Sequence, residues 1–232
     1  PELKTFEENF AKYCGCKYSL GVANGTDALF LIMKALNIGK GDEVITPPNS
    51  FIATAGAIIA AGAKPVFVDV KEDYNINPGL IEKAITDKTK AILPVHLTGR
   101  PADMKLITEI AEKHNLVVIE DAAQAAGARY YGRRTGSLGI AAGFSLHPLK
   151  ALGAYGDGGV VTTNNEEIID TITKLRNHGL RNRDEADLWG YNSRLDGLQA
   201  AIVNIKLKYL EEWNQKSRAI AEKYRRGLSN VV

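Results

Sequence analysis

Short apolar segments alternate with amphipathic segments along most of the chain, and this alternation restricts the fold more than any other feature of the sequence. In the segment 103–114, Met104, Ile107 and Ala111 fall on one face of a helix. The segment 116–119 that follows is a continuous apolar run, which is typical of a strand covered on both faces. Such strands, alternating with helices, predict an α/β fold of three layers (α/β/α) around a mostly parallel central sheet.

The same patterns predict where the elements lie. Predicted strands cover residues 18–22, 43–46, 64–70, 90–95, 116–119, 141–145 and 159–163. Predicted helices cover residues 3–13, 25–36, 53–61, 78–84, 103–114, 166–177 and 195–223, the last with a break expected near Trp213. Ligands of such sheets bind at the carboxyl ends of the strands. The residues that directly follow each strand are therefore the candidates for function.

The charge balance and the apolar runs argue against two classes of partner. The 29 basic and 27 acidic side chains leave a formal net charge of +2, which gives no electrostatic reason to bind nucleic acid or an anionic membrane. The longest apolar run, residues 53–63, contains two glycines and is shorter than the roughly 20 residues that a membrane span needs. We expect neither a nucleic-acid partner nor a membrane partner.

The cysteines and histidines do not form a recognisable metal or disulfide pattern. Cys14 and Cys16 are separated by one residue, which makes them a poor disulfide pair. The 4 histidines do not have the spacing of metal ligands, so no metal site is expected. Unpaired thiols are typical of a reducing compartment, and we expect a cytoplasmic protein.

The turn after the first strand has the features of an anion-binding site. Gly25 allows a tight turn, and the helix that starts there presents free N–H groups and the positive end of its dipole. The Thr26 hydroxyl adds a hydrogen-bond donor. A plain helix cap by Asn24 or Thr26 is the alternative interpretation. The segment has neither a dinucleotide fingerprint nor a Walker sequence.

Two carboxylates, Glu120 and Asp121, follow the apolar run 116–119. Buried carboxylates are costly unless they are paired or hydrogen-bonded, so at least one of them needs a cationic partner. A protonated ring nitrogen of a ligand would serve, and so would an arginine. A carboxylate that caps a helix is the alternative.

Lys150 follows the strand 141–145 and precedes the glycine-rich segment 153–159. A lysine in such an irregular segment between two apolar strands is a candidate nucleophile, because its surroundings can lower the pKa of its ammonium group. A solvated loop lysine is the alternative. His96 follows the strand 90–95 and lies at the same functional edge, although a lone histidine is more often structural.

Taken together, these segments resemble the DegT/StrS-like family of nucleotide-sugar aminotransferases, a branch of the fold type I enzymes that use pyridoxal phosphate (PLP). The matching segments are 23–29 (ANGTDAL), 41–47 (GDEVITP), 96–104 (HLTGRPADM), 120–124 (EDAAQ), 144–150 (FSLHPLK), 156–159 (GDGG) and 191–196 (YNSRLD). The resemblance implies an aspartate-aminotransferase-like large domain that binds PLP.

The resemblance also implies the chemistry of several residues. Lys150 corresponds to the lysine that anchors PLP covalently and moves the proton during the reaction. Asp121 corresponds to the carboxylate that keeps the pyridine nitrogen protonated, which makes the ring an electron sink. Gln124 corresponds to the side chain near the phenolic oxygen of PLP. His96 and Tyr155 are expected on the substrate side.

The remaining implied residues bind the cofactor. Gly25 and Thr26 correspond to the phosphate-binding turn, which the hydroxyl of Ser145 supports. Phe51 occupies the position of the aromatic residue that stacks on the ring. Asn192 corresponds to a residue that reaches the phosphate of the neighbouring subunit's cofactor, which implies a homodimer with shared active sites.

The implied reaction moves an amino group from an amino acid, with glutamate as the expected donor, to a nucleotide-linked keto-deoxysugar for polysaccharide or related amino-sugar biosynthesis. Gln124 together with the segment 156–159 favours amination at C3 over C4. The alternative is a PLP-dependent sugar dehydratase or a non-catalytic, regulatory member of the same family. The dehydratases carry histidine where this chain has Lys150, which argues against that branch.

The resemblance also predicts the domain organisation. Residues 1–205 are expected to form the PLP-binding large domain. Residues 206–232 are expected to form a helix that leads into a small C-terminal domain, most of which lies outside this sequence. We also expect a further segment before Pro1.

Overall fold

The strands and helices follow the alternation expected from the sequence. A computed structural model describes residues 1–229 and Val231. The strands are Tyr18–Val22 (β1), Glu43–Thr46 (β2), Lys64–Phe67 (β3), Thr89–Ile92 (β4), Val117–Asp121 (β5), Arg129–Tyr130 (β6), Arg133–Arg134 (β7), Ala141–Ser145 (β8) and Gly159–Thr163 (β9). The helices are Glu2–Cys14 (α1), Gly25–Ala35 (α2), Ile52–Ala61 (α3), Pro78–Ala84 (α4), Met104–Lys113 (α5), Glu166–Leu175 (α6), Gly197–Leu207 (α7) and Leu210–Gly227 (α8).

The central sheet has 7 strands in the order β1-β9-β8-β5-β4-β2-β3. Strand β9 is antiparallel to both of its neighbours, and the other pairings are parallel. The other six strands therefore point the same way, so their carboxyl ends meet at one edge of the sheet. This edge is where a ligand is expected in an α/β fold.

Helices cover both faces of this sheet, which confirms the predicted three-layer α/β/α class. Consecutive strand residues point to opposite faces. Val44 and Ala141 pack in a core with α2, α3 and α6. Their neighbours Ala142 and Ile45 pack on the other face, Ala142 with α1 and α7, and Ile45 with α4 and α5.

A partly buried ion pair ties α1 to the strand that leads into the site. Arg176 donates to Oε1 of Glu7 at 2.6 Å and to the carbonyl of Gly21 at 2.6 Å. The same Glu7 oxygen accepts the amide N–H of Gly21 at 2.8 Å. These contacts fix the end of β1, from which the chain enters α2.

Two predicted strands are shorter in the structure. The strand predicted for 64–70 ends at Phe67, because Val70 bridges to Ile76 instead. The strand predicted for 90–95 ends at Ile92, and Pro94 behind it has no N–H for a ladder hydrogen bond. Strand β5 extends beyond its prediction, so Asp121 is its last residue.

The prediction of a helix over 195–223 that breaks near Trp213 is wrong in the place of the break. The chain forms α7 and α8, with the break at Lys208 and Tyr209 rather than near Trp213. The amides of these two residues bond carbonyls three residues earlier, at 3.3 and 2.9 Å, which tightens the turn. The turn buries Leu210 completely. The domain boundary predicted between residues 205 and 206 lies within α7 and stays a prediction.

The sequence patterns did not predict the short hairpin of β6 and β7, whose strands have only two residues each.

None of the described helices combines the length and the hydrophobicity that crossing a membrane requires.

Candidate active site

A cleft of about 630 Å³ opens at the edge where the parallel strands end. Its walls come from the start of α2, the start of α3, the end of β5 and the loop after β8. It is lined by Asn24, Gly25, Thr26, Asp27, Leu29, Ser50, Phe51, Ala53, Thr54, Val95, Asp121, Ala123, Gln124, Ser145, His147, Leu149, Lys150 and Asp157. Seven of the residues selected from the sequence lie in this lining: Gly25, Thr26, Phe51, Asp121, Gln124, Ser145 and Lys150.

The start of α2 presents free amide groups to the cleft. The side chain of Asn24 caps the helix by accepting the amide of Asp27 at 2.8 Å. The amides of Gly25 and Thr26 have no intrahelical acceptor, because they lie in the first turn. A Cβ on Gly25 would lie 2.8 Å from the Cβ of Ser145, so a larger residue would push the turn away from β8. Both sequence interpretations therefore apply: Asn24 is the cap, and the next two amides remain available for an anion.

Asp121 is the buried carboxylate of the cleft, with 4% of its surface exposed. Its Oδ2 accepts the hydroxyl of Thr54 at 2.7 Å, and its Oδ1 accepts the amide of Ala123 at 3.1 Å. Burial raises the pKa of Asp121, and these two hydrogen bonds and the charge of Lys150 offset only part of the rise. A ligand cation beside Asp121 would compensate the buried charge.

Lys150 is half-buried and lines the same cleft. Its amide donates to the carbonyl of His147 at 2.8 Å, so the chain turns directly after β8. The loop then folds back so tightly that a Cβ on Gly153 would lie 2.5 Å from the carbonyl oxygen of Pro148. The absence of a side chain at Gly153 thus allows the loop that carries Lys150 to close tightly on Pro148.

Gln124 and Phe51 complete the walls. Oε1 of Gln124 accepts the amide of Thr98 at 2.7 Å, which leaves its NH₂ group as the donor that can face a ligand. Phe51 precedes the first residue of α3 and is 72% exposed although its ring borders the cleft. An exposed aromatic ring at this position can cover a planar ligand.

The sequence prediction that His96 contacts the substrate is not supported by the structure. Its side chain is 0% exposed and is absent from the cleft lining. Nε2 donates to Glu120 at 3.0 Å, and Nδ1 accepts the amide of Ala102 at 3.1 Å, so both ring nitrogens are bonded within the protein. His96 is a structural residue behind the cleft.

Two other selected residues lie outside the lining of the cleft. Asn192 is exposed, and its backbone bridges to Asn177. Tyr155 is exposed and lies under the ammonium of Lys206, which is 4.4 Å from the ring centroid. The inter-subunit role of Asn192 and the substrate role of Tyr155 stay predictions.

The other carboxylate of the pair, Glu120, supports the cleft from within. It accepts four N–H groups: Nε2 of His96 at 3.0 Å and the amides of Gly136, Leu138 and Gly139 at 2.7–2.9 Å. Burial raises the pKa of Glu120, but these hydrogen bonds outweigh burial and hold the pKa below its ordinary value. Glu120 is thus a buried charge fully solvated by the protein.

We expect the Glu120→Gln substitution to lower the free energy of unfolding by about 3–5 kcal/mol at neutral pH, because an NH₂ group would face donors in place of an acceptor. A carboxylate with a lowered folded pKa contributes stability above its ordinary pKa of 4.5, and this stability is lost as the pH falls through the folded pKa. The difference in free energy of unfolding between wild type and Glu120→Gln should therefore become smaller in acid. Urea unfolding at several pH values measures it, with the exposed Glu109→Gln as matched control. A stability difference that grows in acid would contradict the conclusion that Glu120 is a stabilising buried charge.

Sequence reasoning missed Ser50 and Thr54, which lie at the start of α3. Thr54 comes three residues after Phe51, so both belong to the same helical turn. This spacing was a usable signal, because residues three apart on a helix share a face.

No metal site competes for the cleft, since residues 1–229 and Val231 contain no group of three or more His, Cys, Asp or Glu side chains that could hold an ion.

The cleft suits PLP on its own chemistry. Amides at a helix start and the hydroxyls of Thr26 and Ser145 suit a phosphate. The buried Asp121 suits a protonated ring nitrogen, and Phe51 suits a ring face. Lys150 supplies the amine within the same space.

Comparisons with known proteins point in the same direction. The model of the DegT/DnrJ/EryC1/StrS aminotransferase family matches residues 1–232. The chain is 55% identical over 230 residues to a dTDP-3-amino-3,6-dideoxy-alpha-D-galactopyranose transaminase of Aneurinibacillus thermoaerophilus, with 99% of this chain and 63% of that protein covered. It is 46% identical over 232 residues to a UDP-2-acetamido-2-deoxy-3-oxo-D-glucuronate aminotransferase of Pseudomonas aeruginosa, with 100% and 65% covered.

The fold also matches a solved structure. The X-ray structure of S. venezuelae DesV in complex with a ketimine intermediate superposes with a TM-score of 0.98 at 48% sequence identity. The match covers 100% of this chain and 63% of that one. The chain spans about three fifths of the length of the curated relatives that it matches.

Proposed function

The chain belongs to the DegT/DnrJ/EryC1/StrS aminotransferase family, and on that premise we propose that it is the PLP-binding part of an enzyme that transfers an amino group from an amino acid to a nucleotide-linked keto sugar. The observation that carries the proposal is that Lys150 and the buried Asp121 line one cleft at the carboxyl edge of the sheet. A lysine amine for attachment and an aspartate beside the ring nitrogen are groups with which proteins hold PLP and tune its ring.

PLP, when bound, supplies an aromatic ring that accepts the electrons released at the substrate carbon. The residues of the chain would each perform one task. Asp121 holds the proton on the ring nitrogen, and the amides of Gly25 and Thr26 bind the phosphate with the hydroxyl of Ser145. Lys150 is the amine for covalent attachment and, once released, the base that moves the proton at the α carbon of the amino acid.

Gln124 and Phe51 would orient the ring. The NH₂ group of Gln124 is free to donate to the phenolic oxygen, because Thr98 already occupies its Oε1. Phe51 would cover one face of the ring. Water exclusion in the complete protein would strengthen these polar contacts.

The acceptor that we propose is a 3-keto sugar on a nucleoside diphosphate, with glutamate as the donor. Two relatives support C3, since their names place the amino or the oxo group there, one on a dTDP sugar and the other on a UDP sugar. Gln124 and the segment 156–159 support the same position. Tyr155 remains a proposed substrate contact.

We also propose that the complete protein is a cytoplasmic homodimer with shared active sites. Asn192 supports this arrangement, because its side chain is exposed and lies outside the cleft of its own chain. In the dimer it would donate to the phosphate in the neighbouring subunit's cleft. Exposure of Asn192 in one subunit is what such a contact requires.

The amino-transfer reaction predicts a spectroscopic result. The complete protein loaded with PLP should show an absorption band at about 410–430 nm, and excess glutamate should bleach it as the amino group moves to the cofactor. Addition of a 3-keto nucleotide sugar should restore the band and yield the amino sugar. Glutamine and D-glutamate are the matched donor controls. A band that glutamate leaves unchanged would favour the dehydratase or the regulatory alternative.

A further inference from the structure

Among the described residues, Thr54 supplies the one side-chain hydrogen bond to the buried carboxylate of the cleft. Its Oγ1 lies 2.7 Å from Oδ2 of Asp121, and its surface is 2% exposed. The sequence motifs did not select it. A buried hydrogen bond to a charged group is among the stronger contacts in proteins, so this one constrains Asp121.

A second hydroxyl sets the direction of this hydrogen bond. Ser50 Oγ lies 2.7 Å from Thr54 Oγ1, one helical turn earlier. An ionised Asp121 can only accept, so the single proton of Thr54 points to the carboxylate. Ser50 then donates to the free lone pair of Thr54. The order is Ser50 to Thr54 to Asp121, with every proton directed toward the carboxylate.

The same turn also carries the aromatic wall of the cleft. Phe51 directly precedes α3, and the amide of Thr54 donates to its carbonyl at 3.1 Å. Asp121 has a further bond from the amide of Ala123 at 3.1 Å. One bond to each oxygen fixes the plane of the carboxylate. Residues 50–54 therefore place both the Phe51 ring, which would cover PLP, and the hydroxyl that orients Asp121.

We propose that Thr54 is a positioning residue, whose hydroxyl, oriented by Ser50, holds the Asp121 carboxylate ionised and aimed at the ring nitrogen of PLP. The proposal rests on the proposed function, since it assigns Asp121 to that nitrogen. Burial raises the pKa of Asp121, and the bond from Thr54 is the largest contribution that opposes it. Without this bond, the shared proton would move from the ring nitrogen toward Asp121.

The test uses the complete protein loaded with PLP that carries nitrogen-15 in the ring. In wild type, the nitrogen signal should be that of a protonated pyridine. In Thr54→Val, it should shift toward neutral pyridine, and kcat should fall by about 10- to 100-fold with little change in KM for glutamate, the range expected for one hydrogen bond to a charged group. Thr54→Ser should restore both values, because it restores the hydroxyl.

Two further variants separate positioning from packing. Ser50→Ala should shift the signal in the same direction with a smaller fall in kcat, about 2- to 10-fold, since a neutral hydrogen bond is lost. It also tests the proposal if Thr54→Val fails to fold, because Ser50 is only half-buried. Thr162→Val, which removes a fully buried hydroxyl bonded to the carbonyl of Gly136 away from the cleft, should leave the nitrogen signal unchanged.

The outcomes distinguish the two proposals. If wild-type protein carries PLP on Lys150 and transaminates, but Thr54→Val and Ser50→Ala keep the protonated signal and the wild-type kcat, the positioning role is wrong and the function stands. If wild-type protein does not attach PLP at Lys150, the proposed function fails, and the role of Thr54 fails with it.

Discussion

Replacement of Lys150 by alanine should abolish covalent attachment of PLP and lower the aminotransferase rate by about 10³-fold or more. The variant loses the only amine among the side chains that line the cleft of the described chain, and with it the base that moves the proton. General acid–base catalysis alone accounts for about 10²- to 10⁴-fold. Stability should change little, because Lys150 is half-buried and its backbone turn is kept.

Mass spectrometry after borohydride reduction locates the attachment directly. In wild-type protein, the mass of the reduced cofactor should appear on the peptide that contains Lys150, and in Lys150→Ala on no peptide. Lys105→Ala is the matched control, since this lysine is exposed on α5 and does not line the cleft. Cofactor mass on a different lysine of the wild-type protein would overturn the assignment.

Replacement of Asp121 by asparagine should lower kcat by about 10²- to 10³-fold while PLP still attaches to Lys150. Asparagine keeps the size of the side chain. Its amide oxygen can accept from the amide of Ala123, and its NH₂ group can donate to the hydroxyl oxygen of Thr54, which can rotate to accept. It carries no charge, so the ring nitrogen loses its proton and the ring becomes a weaker electron sink. Single-turnover reaction with glutamate measures the loss at the proton-transfer step.

The matched control for this variant is Asp170→Asn, an exposed acid on α6. The amide has no charge to desolvate, and burial raises the pKa of the native carboxylate. The variant should therefore be at least as stable as wild type without PLP, although it is much less active. A variant that unfolds, or one with wild-type kcat, would contradict the role of Asp121.

Most of the sheet could be predicted because its strands are buried. The strands β1, β2, β8 and β9 match their predictions, since most of their residues are buried and their centres are apolar. Prediction was less accurate where a tertiary contact decides the end of an element. The turn at Lys208 and Tyr209 is an example. It buries Leu210, but the helical periodicity of the sequence continues across these two residues without a signal for a break.

The site likewise contains residues that the sequence predicted correctly and one that it did not. Lys150, Asp121, Gly25 and Thr26 were identifiable because they follow strands, and the topology brings strand ends together. The role of His96 could not be predicted from that rule. It also follows a strand, yet its ring turns inward to Glu120, and only the packed structure shows that direction.

The sequence by itself determined the fold class, the family and seven of the residues that line the cleft, because these depend on periodicity and on motifs read along the chain. The tertiary structure alone decided what the two adjacent carboxylates contact. Glu120 and Asp121 are neighbours on a strand, so they point to opposite faces of the sheet. Glu120 meets His96 and three backbone amides, whereas Asp121 meets Thr54 and the open cleft. The hydroxyl of Thr54 lies 67 positions from Asp121 in the chain, a contact that only folding could form.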